Sequence, residues 1–150
     1  MNNILIRKAN ESDLLAIKKL MDELVEAMDK TEGIDPQLIL ENCRNLLRYP
    51  NSHLLVAEIE DNIVGFINFT TRKTVLHSGL SGLIDELVIK KGHHNKGIGK
   101  KLLSTAIEKC KQLGCCEVEV STENVNSKAR KFYKRCGFTE RGVLLEMDLG

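Results

Sequence analysis

Apolar side chains recur along this chain with two periods, and the switches between them mark out its elements. Ile4, Ile6 and Lys8 alternate with Leu5 and Arg7, which predicts a first strand. Ser12 then precedes a helical stripe of Leu14, Ile17, Leu20, Met21, Leu24, Val25 and Met28, which Gly33 breaks. A second helix is expected from Asp35-Pro36, with proline in its first turn, to just before Pro50. Residues 54–60 and 63–71 read as strands around a two-residue turn at Asp61-Asn62, and residues 82–89 as a further strand. Residues 97–113 form a predicted helix whose core face carries Ile98, Leu102, Leu103, Ala106, Ile107, Cys110 and Leu113, with Gly114 at its C-cap. Residues 116–121 read as a strand and 127–136 as a helix stopped by Gly137. One or two closing strands are expected in 138–148. Strand–helix–strand units late in the chain predict an α/β fold with a parallel pair inside a mixed sheet.

Composition narrows the class. A chain of 150 residues with two prolines, no linker and no repeat is expected to be one domain, residues 1–150. A net charge of +1 points to no polyanionic partner, and the basic segment lacks interleaved aromatics, so nucleic acid is not expected. Five cysteines, an odd number with Cys115 and Cys116 adjacent, argue against a secreted disulfide framework. No signal segment and no membrane-length apolar run is seen, so the expected setting is the cytoplasm, away from membranes. His93 and His94 lack further ligands at zinc spacing, and no metal is expected.

The most informative stretch lies between residues 83 and 103. An apolar strand runs into a basic loop, and Gly97-Ile98-Gly99 then opens a helix. Glycines allow close approach of an anion, and free N–H groups at a helix start bind phosphate. From Leu87 to Cys116 there are seven lysines and one acid, Glu108. A Walker A loop would need lysine where Ile98 stands, and a dinucleotide fingerprint would need a small residue at Leu102.

The run His94-Asn95-Lys96-Gly97-Ile98-Gly99 resembles motif A of the Gcn5-related N-acetyltransferases (GNAT): Arg or Gln, two residues, Gly, one residue, Gly or Ala. His94 departs from the usual Arg or Gln. Downstream, Asn126 to Phe138 is similar to motif B of that family, Asn-x-x-Ala-x-x-x-Tyr-x-x-x-Gly-Phe, through Asn126, Ala129, Tyr133, Gly137 and Phe138. The resemblance implies a mixed sheet splayed between two parallel strands, with acetyl-CoA in the split. It implies that Leu87, Val88 and Ile89 pair with the pantetheine arm. The turn of His94, Asn95, Lys96, Gly97, Ile98, Gly99 and Lys100 would hold the pyrophosphate. Asn126 would contact pantetheine, Tyr133 would lie near the CoA sulfur, and the N–H of Val88 would stabilise an oxyanion.

The implied activity is transfer of an acetyl group to an amine, by direct attack without an acyl-enzyme. An ammonium has no lone pair, so a base is required, and Asp85 and Glu86 are both candidates. Simple strand alternation points them to opposite faces. Tyr133 is the candidate acid for the departing thiolate. From Asp22 to Glu41 the acids are Asp22, Glu23, Glu26, Asp29, Glu32, Asp35 and Glu41, against the single base Lys30. This favours a small cationic amine, such as a polyamine or an aminoglycoside-like molecule. A protein N-terminal or lysine acetyltransferase and a non-catalytic acyl-CoA sensor are the alternatives, and a homodimer is left open.

Overall fold

The computed structural model describes residues 3–28 and 33–150. A five-stranded sheet runs in the order β1 (Leu5–Lys8), β2 (Ser52–Ile59), β3 (Asn62–Arg72), β4 (Leu80–Ile89) and β5 (Cys115–Val120). The first four strands are antiparallel neighbours, and β4 and β5 are parallel. Helices α1 (Leu14–Ala27) and α2 (Ile39–Arg48) cover one face, and α3 (Ile98–Gln112) and α4 (Ser127–Arg135) pack on the other. This is the mixed-sheet α/β class that the hydrophobic periods predict.

The core divides along the sheet. Ile17, Leu20, Ile39 and Cys43 meet Val56, Phe66 and Val88 on the α1–α2 side. Ala57, Ile67, Phe69 and Ile84 meet Ile98, Leu102, Leu103 and Ala106 on the α3 side. Alternation along each strand supplies both faces, as expected of a sheet buried on two sides.

A 3-10 turn over Glu11–Asp13 leads into α1. Asn10 is the cap: its Oδ1 accepts from the Ser12 N–H at 3.0 Å, and Asp13 Oδ2 accepts from the Asn10 N–H at 2.8 Å. Arg7 clamps the buried Asp13 with two bonds of 2.7 and 2.8 Å. The bidentate pair holds the Asp13 carboxyl below its usual range and ties β1 to α1. The β2–β3 turn sits one residue before the expected Asp61-Asn62. Ile59 pairs with Asn62, and Glu60 and Asp61 take φ of 49° and 64°, the positive values a two-residue hairpin turn requires.

The expected closing strands in 138–148 do not form. Phe138 packs edge-on against Tyr133 at 5.6 Å, and the chain beyond it is exposed and forms no regular element. Its alternating pattern is that of a strand, but a strand exists only where a neighbour takes its backbone hydrogen bonds, and here none does.

Candidate active site

The sheet opens where the resemblance implies. Pairing of β4 with β5 runs from Leu80↔Cys115 to Ile84↔Val120 and stops, so residues 85–89 have no partner on that side. The ladder with β3 decides which backbone groups face the gap. Lys90 N–H donates to Val64 O at 2.8 Å, and the register continues through Phe66↔Val88. Antiparallel alternation therefore turns Val88 toward β3 and leaves the N–H and C=O of Leu87 and Ile89 on the open edge. This corrects the expectation for Val88: its N–H is already used within the sheet, and Leu87 is the available donor.

Immediately beyond lies the glycine turn. Gly97 has φ 81° and Asn95 φ 63°, both left-handed. Gly97 caps α3 without a side-chain hydrogen bond, and the first intrahelical bond is Lys101 N–H to Gly97 O at 3.1 Å. The N–H groups of Ile98, Gly99 and Lys100 therefore have no protein acceptor among the described residues, the arrangement that binds an anion at a helix start. Gly99 is not dictated by backbone strain. A Cβ there would meet Phe132 Cζ at 3.6 Å and Ile89 Cγ1 at 3.7 Å, ordinary contacts. What its missing side chain leaves is room between Ile89 of β4 and Phe132 of α4. His94, Asn95, Lys96 and Lys100 are exposed around the turn. Lys101 is directed elsewhere, donating to Ile4 O at 2.8 Å.

The two acids before the gap do not point to opposite faces. A bulge lies at Asp85: Asn68 pairs with Glu86 and Phe69 with Ile84, so Asp85 is the extra residue and alternation is broken. Asp85 Oδ2 accepts from Thr70 Oγ1 at 3.0 Å, and Glu86 Oε2 accepts from Asn68 Nδ2 at 3.3 Å. Asn68 and Thr70 stand two apart on β3, so both carboxylates gather on the α1–α2 side. Burial pushes both carboxyls above their ordinary range, and for Glu86 the charge of Asp85 adds to it. Ser52 completes the chain by donating to Asn68 Oδ1 at 2.9 Å. Sequence reading missed Asn68 and Thr70. Their only signal is polar side chains at alternate positions, 68 and 70, following the apolar run of β3.

Tyr133 approaches from the other side. It is half-buried on α4, edge-on to Phe132 at 5.1 Å, in the cluster that includes Leu87 and Ile89. Its hydroxyl has no hydrogen-bond partner among the described residues. Burial, with a contribution from Cys136, pushes the phenol up to about 12, so it stays protonated throughout the neutral range. Asn126 caps α4: its Oδ1 accepts from Ala129 N–H at 3.1 Å, which leaves its amide NH₂ as a donor.

Residues 17–138 match the acetyltransferase (GNAT) family. The chain belongs to that family. It is similar to an aminoalkylphosphonate N-acetyltransferase of Salmonella typhimurium, with 30% identity over 90% of this chain and 84% of that one. It is similar also to a glucosamine 6-phosphate N-acetyltransferase of Arabidopsis thaliana, with 26% identity over 92% and 91%. The fold is that of the solved aminoglycoside N-acetyltransferase AAC(6')-Iy in complex with CoA, at a TM-score of 0.85, 18% identity and coverage of 100% and 97%. This GNAT protein is an acetyl-CoA-dependent N-acetyltransferase.

The acidic segment proves less available than its composition suggests. Asp22 pairs with Lys18 at 2.9 Å, Glu41 with Arg44 at 2.9 Å, and Asp35 caps Gln37 N–H at 2.9 Å. Glu23 accepts from Lys91 N–H at 3.1 Å, fastening α1 to the loop before the glycine turn. Glu26 is exposed, and Asp29, Lys30 and Glu32 lie outside the described residues. Among the described residues no cluster of three His, Cys, Asp or Glu could hold a metal, and no helix is long and apolar enough to cross a membrane.

Proposed function

We propose that residues 1–150 act as one domain that acetylates a small primary amine carrying cationic character, with Asp85 and Glu86 reading the acceptor. The observation that supports this most is the bulge at Asp85, which gathers two carboxylates on one face beside the unpaired edge of β4. Such a pair attracts an ammonium group and repels a phosphate.

Each group then has a place in the transfer. Glu86, the more enclosed carboxylate and held by Asn68, takes the proton from the incoming ammonium, and Asp85 anchors the amine. Leu87 N–H, on the open edge, donates to the acetyl carbonyl oxygen as negative charge develops there. Ile89 and the amide of Asn126 align the pantetheine arm, and the α3 turn neutralises the pyrophosphate. Tyr133, on the opposite side from Glu86, supplies a proton to the departing thiolate. Buried Cys43 and Cys110 are held in the thiol form, Cys43 by burial and the nearby Glu86 and Cys110 at about 12, which supports direct attack over an acyl-enzyme. The proposed setting is the cytoplasm, which five free thiols support.

The relatives favour a second reading, an acceptor bearing phosphate or phosphonate, because glucosamine 6-phosphate and aminoalkylphosphonates are the substrates in their names. A CoA-release assay separates the two. Spermidine, neamine, glucosamine 6-phosphate, 2-aminoethylphosphonate and a lysine peptide would be compared at equal concentration. The highest kcat/KM is expected with spermidine or neamine. Preference for either phosphorus-bearing amine would replace the cationic reading, and preference for the peptide would overturn the small-molecule reading.

A further inference from the structure

A line of polar side chains crosses three neighbouring strands and ends on one oxygen of Glu86. Asn68 on β3 is 3% exposed and stands directly across the ladder from Glu86. A buried amide is tolerated when both of its ends are paired. At one end Ser52 Oγ, from the start of β2, donates to Oδ1 at 2.9 Å. At the other, Nδ2 donates to Glu86 Oε2 at 3.3 Å. The reverse orientation would set Oδ1 against a carboxylate oxygen, acceptor facing acceptor.

The line leaves the other oxygen of Glu86 uncommitted. Oε1 accepts no hydrogen bond among the described residues. His93 Nδ1 is the one side-chain atom among them that is both sealed from solvent and unpaired. The unpaired Oε1 therefore opens to the cleft rather than into the core. The titratable groups that face Glu86 are Asp85 on its own strand and the Cys43 thiol of α2. The side chains that α1 packs on this face are apolar, Ile17 and Leu20 among them, and β3 brings the neutral Asn68. Burial disfavours the ionised form of Glu86, the bond from Asn68 favours it, and the charge of Asp85 disfavours it further. With no cation beside the carboxylate, the amide is the group that opposes burial.

We propose that Asn68, locked by Ser52, is the positioning residue of the base: it holds Oε2 and presents Oε1 to the incoming ammonium. The transfer balances at that atom. An N–H bond of the ammonium breaks, an O–H bond forms on Oε1, and the electron pair stays on nitrogen for attack on the acetyl carbon. The inference rests on the reading of Glu86 as the base. A purely structural Asn68 makes a different forecast: a lower melting temperature, with the pH dependence of the reaction unmoved.

Carbon-13 NMR of the Glu86 carboxyl, titrated in the parent, N68L and S52A, tests it, with the signal assigned by its absence in E86Q. The acid limb of kcat/KM is followed in the same proteins, with the amine turned over best in the CoA-release comparison. N68L should raise the Glu86 midpoint by about one pH unit, a tenfold gain in proton affinity, and move the acid limb up with it. S52A frees Asn68 to turn, so both should move in the same direction by less. E86Q should lose the limb. A midpoint or limb that stays in place in N68L, while E86Q loses the limb, overturns the role of Asn68 and leaves Glu86 as the base. A limb that persists in E86Q overturns the reading of Glu86, and this proposal with it. If N68L does not fold, S52A decides: a shift upward supports the proposal, and no shift overturns it. With N68L shifted, an unmoved S52A overturns the lock by Ser52.

Discussion

The two sides of the sheet opening are built by different means. On the cofactor side, backbone does the work: the unpaired edge at Leu87 and Ile89, the left-handed Gly97 and the uncapped first turn of α3. On the acceptor side, side chains do, and most of the acids that colour that segment are held by neighbours. A backbone site demands particular residues at fixed spacing. A side-chain surface can satisfy its charges locally in many ways, so charge composition there says little about a ligand.

The largest effect should come from breaking the backbone side. Gly97→Asp places a side chain at φ 81° and a negative charge at the α3 turn. Calorimetry should show acetyl-CoA affinity down by ~10³-fold, about 4 kcal/mol, in a protein whose circular dichroism is retained. Affinity within threefold of the parent would remove the turn from the site.

Next comes Glu86→Gln, which tests whether the acceptor side rests on the β4 bulge. The kcat/KM should fall ~10²–10³-fold, in the range of lost acid–base catalysis. The raised carboxyl also carries a sign for stability. The folded state binds the proton more tightly than the unfolded chain, so stability declines as pH rises through the window between the ordinary and the raised values. The variant should therefore melt higher than the parent at neutral pH, with the gap closing on acidification below the ordinary carboxylate range, ~4.3. In the parent, kcat/KM should fall on acidification from above that range. A full-activity variant, or one that melts lower at pH 7, contradicts the assignment.

Tyr133→Phe should act more mildly, because a CoA thiolate leaves tolerably unaided. A fall in kcat of ~10²-fold is expected with the acetyl-CoA KM nearly constant. Since the hydroxyl has no partner in the fold, the melting temperature should not move. A kcat within twofold would leave solvent as the proton source. The smallest effect should follow Glu41→Lys, which severs the pair with Arg44 on an exposed face. Stability should change by less than ~1 kcal/mol and the acceptor KM by less than twofold. A tenfold rise in KM would restore the acidic segment as the acceptor-reading surface.

What the sequence made legible follows the same division. Helices and strands with strong periods were readable, and so was the glycine turn, because Gly97 answers a backbone need. Three features were not. The hairpin turn moved one residue because Glu60 and Asp61 accept positive φ without glycine. Alternation failed at Asp85 because a bulge carries no period of its own, and with it went the assignment of faces. The closing strands failed because residues 138–148 hold a strand's pattern without a strand's partner in this chain.

The central claim is that the unpaired edge of β4 and the α3 turn together receive acetyl-CoA. Amide hydrogen exchange resolved by residue, with and without acetyl-CoA, tests it most directly. Protection should appear at Leu87 and Ile89 and at Ile98, Gly99 and Lys100, while Val88, already bonded to β3, should change little. Protection at Val88 with none at Leu87 and Ile89, or no change at the α3 turn under saturating acetyl-CoA, would contradict it.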